Sequence, residues 1–438
     1  MESIRRVRVS DILLARDERA ERQWAFLRRH AVPLISFTMN IPGDVKHDPL
    51  IERAFFEGVR RVRREIGRMG AKVLEEKETI SFTGCEMLWA VRWDALELKS
   101  RMCRIEEADA LGRLFDLDVI GSDGSHLSRG SERECLICGA PVRACARSRA
   151  HSAQELYEKA REIILTHFRE QFICRVGEAA QRALLIEAVT TPKPGLVDCE
   201  NSGAHSDMNL FSFMASAAAL RPYLQDCVRL GIEQADWGRL QHCGRLAEDE
   251  MFRAAHANTH KGAVFSLGIL CYAMGACGEG ARLCDLLQKA AQAGAHYLSQ
   301  IPDAEHARTG GEKQYHLYGM AGARGEAASG FRTVVEAGLP ALENMLGAGK
   351  TMEEACLYAL ISLVAQVQDA NIIRRAGLEV QKWAMDEAKA LLQNGCTRDG
   401  LKRLNEAFVQ KNISPGGSAD LLAVAVFLHL LREDALLA

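Results

Sequence analysis

Two hydrophobic periodicities alternate along the first 172 residues. Apolar residues spaced by three and four positions predict helices over Ser10–His30, Pro49–Met69 and Ser152–Phe172. Short apolar runs that end at Gly, Pro or Asn predict strands over Pro33–Met39, Thr79–Thr83, Glu86–Trp93 and Gly112–Ile120. This pattern indicates an α+β domain with a mixed sheet, which we assign to residues 1–172.

From Val176 onward almost every segment has the helical period. Gly- and Pro-marked loops separate apolar helical segments, among them Gln181–Val189, Phe211–Leu220, Gly262–Cys277, Leu357–Val367 and Ala419–Leu431. The longest uncharged run, Gly262–Cys277, is shorter than the ~18 residues of a membrane-spanning helix. No repeat of roughly 20–50 residues indicates a solenoid. Residues 173–438 are therefore predicted to form an all-α domain without membrane contact.

The composition of the 438-residue chain is that of a globular protein, with 48% hydrophobic and 26% charged residues. Its net charge of −3 argues against a general nucleic-acid binder. Residues 1–150 nevertheless carry 27 Lys and Arg against 24 Asp and Glu, and 23 of these cations are arginine. Arginine suits phosphate or carboxylate recognition, although a solvated basic face is the simpler interpretation. The 14 cysteines are scattered and no secretory signal is evident, so we expect reduced thiols in the cytoplasm.

Polar residues of the second domain are concentrated in five loops, TTPKPGLVDCENSGAHSDMN, ANTHKG, GARGE, QDANIIRR and NISPGGSADLL. Each loop alone has a structural explanation, since prolines stiffen connections and aspartates cap helices. Together they supply the parts of a phosphate and metal site. The cations are Lys193, Lys261 and Arg324, and the oxygen ligands suited to Mg²⁺ are Asp198, Asp207, Glu326, Asp369 and Asp420. Gly416, Gly417 and Ser418 open a helix whose free N–H groups are expected to hold an anion.

Residues 175–438 resemble triphosphoribosyl-dephospho-CoA synthase through the motifs TPKPGLVD, NSGAHSDMN, NTHKG, GARGE and NISPGGSADLLA, in this order. The resemblance implies that this domain joins ATP to 3′-dephospho-CoA. The 2′-hydroxyl group of dephospho-CoA attacks C1 of the ATP ribose, adenine leaves, and the triphosphate stays attached. Asn258 and Asn371, which lie in the polar loops, are then expected to bind substrate.

Attack at a sugar C1 passes through an oxocarbenium-like state that nearby carboxylates stabilise. Glu326 is our preferred general base, but the sequence does not separate it from Asp198 or Asp207, and a water molecule that takes the proton is an alternative. His205 and His260 are candidates to assist the departure of adenine, because histidine titrates near neutrality. This hypothesis requires one further condition. Four side chains must share a cavity, namely Asp198, Lys261, Glu326 and Asp420.

The first domain carries Asp116 and Asp118 on a predicted strand. Residues two apart on a strand point the same way, so both carboxylates share one face. This spacing suits nucleotidyl transfer with magnesium, although an aspartate pair on an edge strand facing water is the commoner case.

Three cysteines and a histidine follow in ECLICGAPVRACARSRAH, at positions Cys135, Cys138, Cys145 and His151. They are enough for a tetrahedral zinc site, but the spacing after the first two cysteines is not that of a standard second knuckle. A redox pair is less favoured, because no βαβ pattern surrounds it. We favour an anion-binding turn made by Arg143, Arg147, Arg149 and His151, in which the thiols only pack.

Residues 7–172 resemble apo-citrate lyase phosphoribosyl-dephospho-CoA transferase, which is also called the holo-acyl-carrier-protein synthase of citrate lyase. The motifs that carry the resemblance are LLARDERAERQ, SFTMNIPGDVKH, GRLFDLDVI and CLICGAPVRACARSRAH. The resemblance implies a nucleotidyltransferase-like fold and attack by a carrier-protein serine that releases diphosphate. It places Mg²⁺ at Asp116 and Asp118. We assign the diphosphate to Arg16, Arg19, Arg147 and Arg149. Gln23, Asn40, Lys46 and His151 also match, without a role that follows from the sequence.

The two resemblances together imply a fused enzyme that makes the prosthetic group of citrate lyase and attaches it to the acyl carrier protein, the gamma subunit. An acidic carrier would be attracted to the basic first segment. Three alternatives remain open at this point: the same chemistry for malonate decarboxylase, a metal-dependent hydrolase of ADP-ribose-type linkages in the helical domain, and a CoA-binding scaffold without catalysis.

Overall fold

The computed structural model describes residues 5–130, 132–307 and 310–438. The chain divides into two compact units, Met1–Gln171 and Phe172–Ala438, and a separate hydrophobic core lies in each. We describe each unit by itself.

Unit 1 combines helices with a four-stranded sheet. Its elements are α1 (Val9–His30), β1 (Leu34–Met39), α2 (Pro49–Met69), β2 (Lys72–Ser81), β3 (Gly84–Arg92), α3 (Ala95–Glu107), β4 (Phe115–Ile120), α4 (Val142–Ser148) and the first part of α5 (Ala153–Val189). The sequence predicted α2 at the observed residues and α1, β1 and β3 to within two residues at each end. It did not predict α3 or α4, and β2 is longer than the predicted Thr79–Thr83.

The sheet has the strand order β2-β3-β1-β4, and each neighbouring pair is antiparallel. The predicted mixed sheet is therefore wrong for the described residues. The reason is topological: β1 and β2 run in the same direction, but β3 folds back from β2 in a hairpin and lies between them. A parallel pair would need β1 beside β2, or β3 beside β4.

The two faces of the sheet have different partners. Phe37, Trp89 and Leu117 belong to a core with α2, α3 and the first part of α5. On the opposite face, α1 packs Phe26 and Leu27 against apolar residues at one end of the strands. The other end of that face is polar, because Thr38 of β1 is paired with Glu86 on one side and with Asp116 on the other.

Unit 2 contains the rest of α5 and eleven further α-helices among its described residues. They are α6 (Leu210–Ile232), α7 (Trp237–Ala255), α8 (Lys261–Cys277), α9 (Leu283–Ser299), α10 (Gly310–Tyr318), α11 (Gly322–Ala328), α12 (Leu339–Gly347), α13 (Met352–Val364), α14 (Ala370–Gln393), α15 (Arg398–Gln410) and α16 (Gly416–Glu433). No strand occurs in the described part of this unit. The predicted helical character of residues 173–438 is confirmed there.

The centre of unit 2 is built on α8, α13 and α16, whose residues are mostly buried. Polar residues nevertheless lie in the first turns of α8 and α16, among them Lys261, Ser418 and Asp420. None of the described helices is long and apolar enough to cross a membrane.

Candidate active sites

A cavity of about 1180 Å³ opens where the loop after α5 meets the N-terminal ends of α8, α11, α14 and α16. We call it the helical cavity. Its carboxylates are Glu187, Asp207, Glu248, Glu312, Glu326, Asp369 and Asp420, and its cations are Lys193, Lys261, Arg324, Arg374 and Arg375. Its volume exceeds the roughly 300–1,000 Å³ of common small-molecule pockets, so it has room for more than one ligand.

Asp369 ties the beginnings of two helices together. Its Oδ1 accepts the N–H of Asn371 at 2.9 Å and caps α14. Its Oδ2 accepts the N–H and the hydroxyl group of Ser418 at 2.8 and 3.2 Å. The expectation that Ser418 offers a free N–H to a phosphate is therefore wrong, because Asp369 already occupies it. Gly416 and Gly417 line the cavity, and their assignment to an anion stays a prediction.

Asp420 lies one turn into α16, against the N-terminal end of α8. A Cβ atom on Gly262 would lie 2.0 Å from Asp420 Oδ2, so this close approach requires glycine. Burial raises the pKa of Asp420 well above its usual range, and the carboxylates of Glu187 and Asp369 raise it further. These acids form a cluster of negative charge that lacks full compensation.

Lys193 is the cation at this cluster, and it is almost completely buried. Its Nζ donates to Oε1 of Glu187 at 2.5 Å and to the backbone oxygen of Glu187 at 2.6 Å. Lys193 thus lies on the cavity wall, but its ammonium group is paired with a glutamate that carries no signal in the sequence. The assignment of Lys193 to a polyphosphate stays a prediction. No motif marks Glu187, which lies inside a helical segment.

Asp198 and Asp207 have different positions. Asp198 is buried outside the cavity lining, and its carboxylate accepts the backbone N–H groups of Lys193, Glu200 and Asn201 at 2.8–2.9 Å. It shapes the loop, which corrects its predicted place among the metal ligands and bases. Asp207 is exposed and lines the cavity, with Oδ1 at 3.8 Å from Nδ1 of His205.

Both predicted histidines line the helical cavity. Nε2 of His205 lies 2.8 Å from Ser414 Oγ, and burial together with nearby Arg375 lowers the pKa of His205. Nδ1 of His260 lies 2.7 Å from Ser216 Oγ. Burial, and next the charge of Lys193, lowers the pKa of His260 to about 3. The expectation that His260 titrates near neutrality is therefore wrong.

Several buried polar atoms of the cavity lack a hydrogen-bond partner among the described residues. They are Thr259 Oγ1, His260 Nε2, Ser266 Oγ and Gln314 Oε1. Leaving such atoms unpaired is costly, so they are suited to bind a ligand.

The remaining predicted residues also line the cavity. Glu326 accepts the hydroxyl group of Thr333 at 2.6 Å, and Arg324 lies 3.6 Å from Glu312. Lys261 pairs with Glu248 at 3.0 Å, and Asn258 and Asn371 belong to the same wall. Of the four residues required to share a cavity, Lys261, Glu326 and Asp420 do so, whereas Asp198 lies apart. Arg374 and Arg375 were not singled out, although their loop, QDANIIRR, was.

Unit 1 has its own acidic site on β4. Asp116 and Asp118 alternate with the buried Leu117 and therefore share a face, as predicted. Burial raises the pKa of Asp116, and the adjacent charge of Asp118 raises it further. Nη2 of Arg133 lies 3.1 Å from Asp116 Oδ1 and 2.5 Å from Oε1 of the buried Glu106. Neither Arg133 nor Glu106 carries a signal in the sequence.

Two arginines of α1 reach the same face of the sheet. Arg19 donates to Glu86 at 2.9 Å, and Arg22 donates to it at 3.0 Å. Gln23 donates to Ser36 Oγ at 3.0 Å, which gives this motif residue a positioning role. These contacts bring Arg19 close to Asp116. The positive charge of Arg19 partly offsets the rise in the pKa of Asp116.

Other motif residues of unit 1 have different surroundings, and the sequence indicated no role for Lys46. Lys46 donates to the backbone oxygen of Ile41; burial and the nearby charge of Arg16 lower its pKa. Arg147 and Arg149 are exposed, and no contact of theirs with the aspartate pair is found within the described residues. Their assignment to the diphosphate stays a prediction.

Cys135, Cys138, Cys145 and His151 form one cluster. One ligand atom from each residue lies within 4.8 Å of those of the others. Burial tends to raise the pKa of Cys135, but hydrogen bonds from the backbone of Cys138 and Ile137 lower it to about 7. The favoured anion-binding turn thus needs correction, because His151 joins the thiols instead of the arginines.

Comparison with known proteins matches two separate parts of the chain. Residues 174–437 match the family model described as ATP:dephospho-CoA triphosphoribosyl transferase, and residues 7–167 match apo-citrate lyase phosphoribosyl-dephospho-CoA transferase. The chain is 32% identical over 460 residues to Protein CitXG of Haemophilus influenzae, covering 98% of this chain and 97% of that one. The chain belongs to the CitXG family.

Two further relatives show how the CitXG sequence is divided. Protein CitXG of Leuconostoc mesenteroides is 31% identical and aligns over 91% of each chain. A 2-(5''-triphosphoribosyl)-3'-dephosphocoenzyme-A synthase of Pectobacterium atrosepticum is 36% identical over 280 residues, covering 61% of this chain and 92% of that protein. The chain is therefore a bifunctional transferase, in which a domain of the apo-citrate lyase phosphoribosyl-dephospho-CoA transferase family precedes a domain of the ATP:dephospho-CoA triphosphoribosyl transferase family. Its substrates include ATP and dephospho-CoA.

Proposed function

We propose that the helical cavity condenses ATP with 3′-dephospho-CoA, and that the aspartate pair of unit 1 transfers the product to a serine of the citrate lyase acyl carrier protein. Residues 173–438 act as the synthase and residues 1–172 as the transferase. The observation that carries the proposal is the single cavity that unites Lys261, Glu326 and Asp420 with buried, unpartnered polar atoms. We place both reactions in the cytoplasm, where scattered cysteines stay reduced.

In the synthase reaction, the 2′-hydroxyl oxygen forms a bond to C1 of the ATP ribose as the bond to adenine breaks. Glu326 takes the hydroxyl proton, because it lines the cavity and one oxygen is held by Thr333. Negative charge from the surrounding acids stabilises the oxocarbenium-like state. His260 stays neutral, and if Ser216 donates to its Nδ1, its Nε2–H is available to the leaving adenine.

The triphosphate requires positive charge. Lys261 and Arg324 lie on the cavity wall, and Arg374 and Arg375 add two further cations. Magnesium fits the acidic cluster, because carboxylate oxygens are the ligands that it prefers. Burial raises the pKa of Asp369 and of Asp420, and the charges of Glu187 and Asp369 raise that of Asp420 further. When bound there, Mg²⁺ would neutralise phosphate charge. Asp207 adds a carboxylate at the open side of the cavity.

In the transferase reaction, the serine oxygen of the carrier forms a bond to the α-phosphorus and the bond to diphosphate breaks. Asp116 and Asp118 fit Mg²⁺, since both carboxylates share one face of β4. Arg19 lies near this pair and is positioned by Glu86, so it is suited to the departing diphosphate. Arg16 beside Lys46 extends the positive charge.

The test is to incubate the full chain with ATP, dephospho-CoA, Mg²⁺ and the citrate lyase carrier. Adenine is measured by chromatography and the carrier by intact mass. We expect one adenine per modified carrier and a mass increase of one phosphoribosyl-dephospho-CoA group. Asp118→Asn should release adenine normally but leave the carrier unmodified. Asp420→Asn should release no adenine, yet modify the carrier when the triphosphoribosyl intermediate is supplied.

Asp386→Asn, at an exposed carboxylate outside both sites, is the matched control and should leave both reactions unchanged. Adenine release that does not depend on dephospho-CoA would instead indicate a hydrolase. Preferential modification of a malonate decarboxylase carrier would redirect the transferase assignment, and no adenine release at all would leave only a binding role.

A further inference from the structure

We propose that Cys135, Cys138, Cys145 and His151 bind one structural Zn²⁺ in unit 1. The four ligand atoms lie within 4.8 Å of one another, and the sulfur atoms of Cys135 and Cys145 are 3.5 Å apart. A tetrahedral site with bonds of about 2.1–2.3 Å separates its ligand atoms by about 3.5–3.8 Å. Only small side-chain movements are needed to close this set around one ion.

The backbone of the first two cysteines is shaped like a metal-binding turn. The N–H of Ile137 lies 3.5 Å from Cys135 Sγ, and the N–H of Gly139 donates to the backbone oxygen of Cys135 at 3.2 Å. Gly139 has a φ of 72°, which glycine adopts without strain. The turn therefore directs Cys135 and Cys138 to the same point.

The second pair of ligands comes from α4 and the residues after it. Cys145 lies within α4, which ends at Arg149 with a φ of 49°. This left-handed residue turns the chain back, so that His151 returns to the thiols. Nε2 of His151 is buried and lacks a hydrogen-bond partner among the described residues. A bound cation would provide the partner that this atom lacks.

The segment that carries the four ligands, residues 132–151, also has an unusual distribution of buried side chains. Between residues 132 and 151, Cys135 and Cys145 are the only buried residues, at 4% and 9% exposure, whereas Ile137 and Val142 are exposed. Leu136 packs against the main core of unit 1, but the segment buries no aliphatic side chain completely and so has no hydrophobic core of its own. Such small modules are commonly held together by a metal.

The cluster connects directly to the acidic site of unit 1. Val142 donates its N–H to the backbone oxygen of Arg133 at 2.9 Å, and Arg113 donates to the backbone oxygens of Glu134 and Cys135. Arg133 in turn reaches Asp116 at 3.1 Å. A metal at the cluster would fix the segment that holds the Arg133 guanidinium on Asp116.

The first experiment measures zinc in the full chain by mass spectrometry after chelation and reconstitution with Zn²⁺ alone. We expect one equivalent per chain. Replacement by Co²⁺ should give the charge-transfer and d–d absorption of a tetrahedral site with thiolate ligands. In Cys138→Ser, at an exposed ligand, zinc affinity should fall at least about 100-fold. Cys174→Ser, at an exposed cysteine outside the cluster, should keep the wild-type affinity.

Less than one tightly bound zinc per chain, an octahedral cobalt spectrum, or unchanged affinity in Cys138→Ser would overturn the proposal. So would thiol titration showing that Cys135 is oxidised to a disulfide with Cys138 or Cys145 in the native protein. The cobalt spectrum of the unaltered chain keeps the test independent of whether a variant folds.

A second readout rests on the proposed function. Cys138→Ser should slow transfer to the carrier about tenfold from supplied intermediate, while adenine release stays at the wild-type rate. If neither the variant nor the unaltered chain modifies the carrier, the proposed function is contradicted. The zinc measurement does not depend on that result. Transfer at the unaltered rate by zinc-free protein would contradict the link through Arg133.

Discussion

Ser418 donates both its backbone N–H and its hydroxyl group to Oδ2 of Asp369. One carboxylate thus joins the beginnings of α14 and α16, which are far apart in the sequence. This contact fixes the first turn of α16 and places Asp420 beside Gly262 at the beginning of α8. Three of the predicted loops therefore meet at one point of the helical cavity.

Asp420→Asn should lower synthase activity at least about 100-fold while making the fold more stable. Burial raises the pKa of Asp420 in the folded chain, so the ionised carboxylate destabilises the fold at neutral pH. A neutral amide of the same shape removes this penalty, and we expect a gain of about 1–2 kcal/mol. Urea unfolding at pH 7 without Mg²⁺ measures the change in stability. Adenine release at pH 7 with Mg²⁺ measures the change in activity. A variant that is both less stable and less active would indicate a structural role instead.

Gly262→Ala should displace Asp420, because the new Cβ would lie 2.0 Å from Oδ2 of its carboxylate. We expect a cost of about 1–3 kcal/mol in unfolding free energy and a large loss of adenine release. Gly347→Ala is the matched control, since no atom lies within 4 Å of the position of its Cβ. That control should be neutral or slightly stabilising. Equal behaviour of the two variants would contradict the close approach.

His260 should make stability depend on pH. Its pKa is lowered to about 3 in the folded chain by burial and by Lys193, whereas the unfolded value is about 6.5. Between these values the unfolded chain binds more protons, so stability falls as the pH is lowered below about 6.5. From pH 7.5 to pH 5.5 the expected loss is about 1.4 kcal/mol.

Urea titrations of the wild type and His260→Asn at both pH values check this expectation. The asparagine amide can still bond to Ser216, and the variant should lose less stability than the wild type over this range by about the stated amount. His242→Gln, at an exposed histidine, should behave as the wild type. A His260→Asn variant with an unchanged pH slope would show that His260 is accessible to protons when folded.

Lys193→Met should leave the carboxylate of Glu187 buried without its ion partner. The two side chains are 1% and 5% exposed, so the expected cost is about 3–5 kcal/mol. The double variant Lys193→Met, Glu187→Gln should recover much of this loss, because the amide is neutral. Lys389→Met, which breaks an exposed pair with Asp386, should change the unfolding free energy by less than about 0.5 kcal/mol. Chemical denaturation of the wild type, Lys193→Met, Glu187→Gln and the double variant measures the coupling between the two side chains.

Local patterns predicted more of the fold than of the site. The period of α2 is visible because its apolar residues repeat every three or four positions, and Asp48 caps the helix before Pro49. The face shared by Asp116 and Asp118 follows in the same way from the alternation of a strand. The order of the strands in the sheet does not follow from local patterns. It depends on where the hairpin from β2 to β3 is inserted beside β1.

The sequence by itself determined most of the helices and strands, although not α3 or α4, as well as the loops that carry acids and cations and the family resemblance of each half. These properties depend on residues within a few positions of one another. Only the tertiary structure decided that Asp198 shapes a loop, that Asp369 binds Ser418, and that His151 joins three cysteines. Such pairings depend on how distant segments pack, and on which charges burial leaves without a partner.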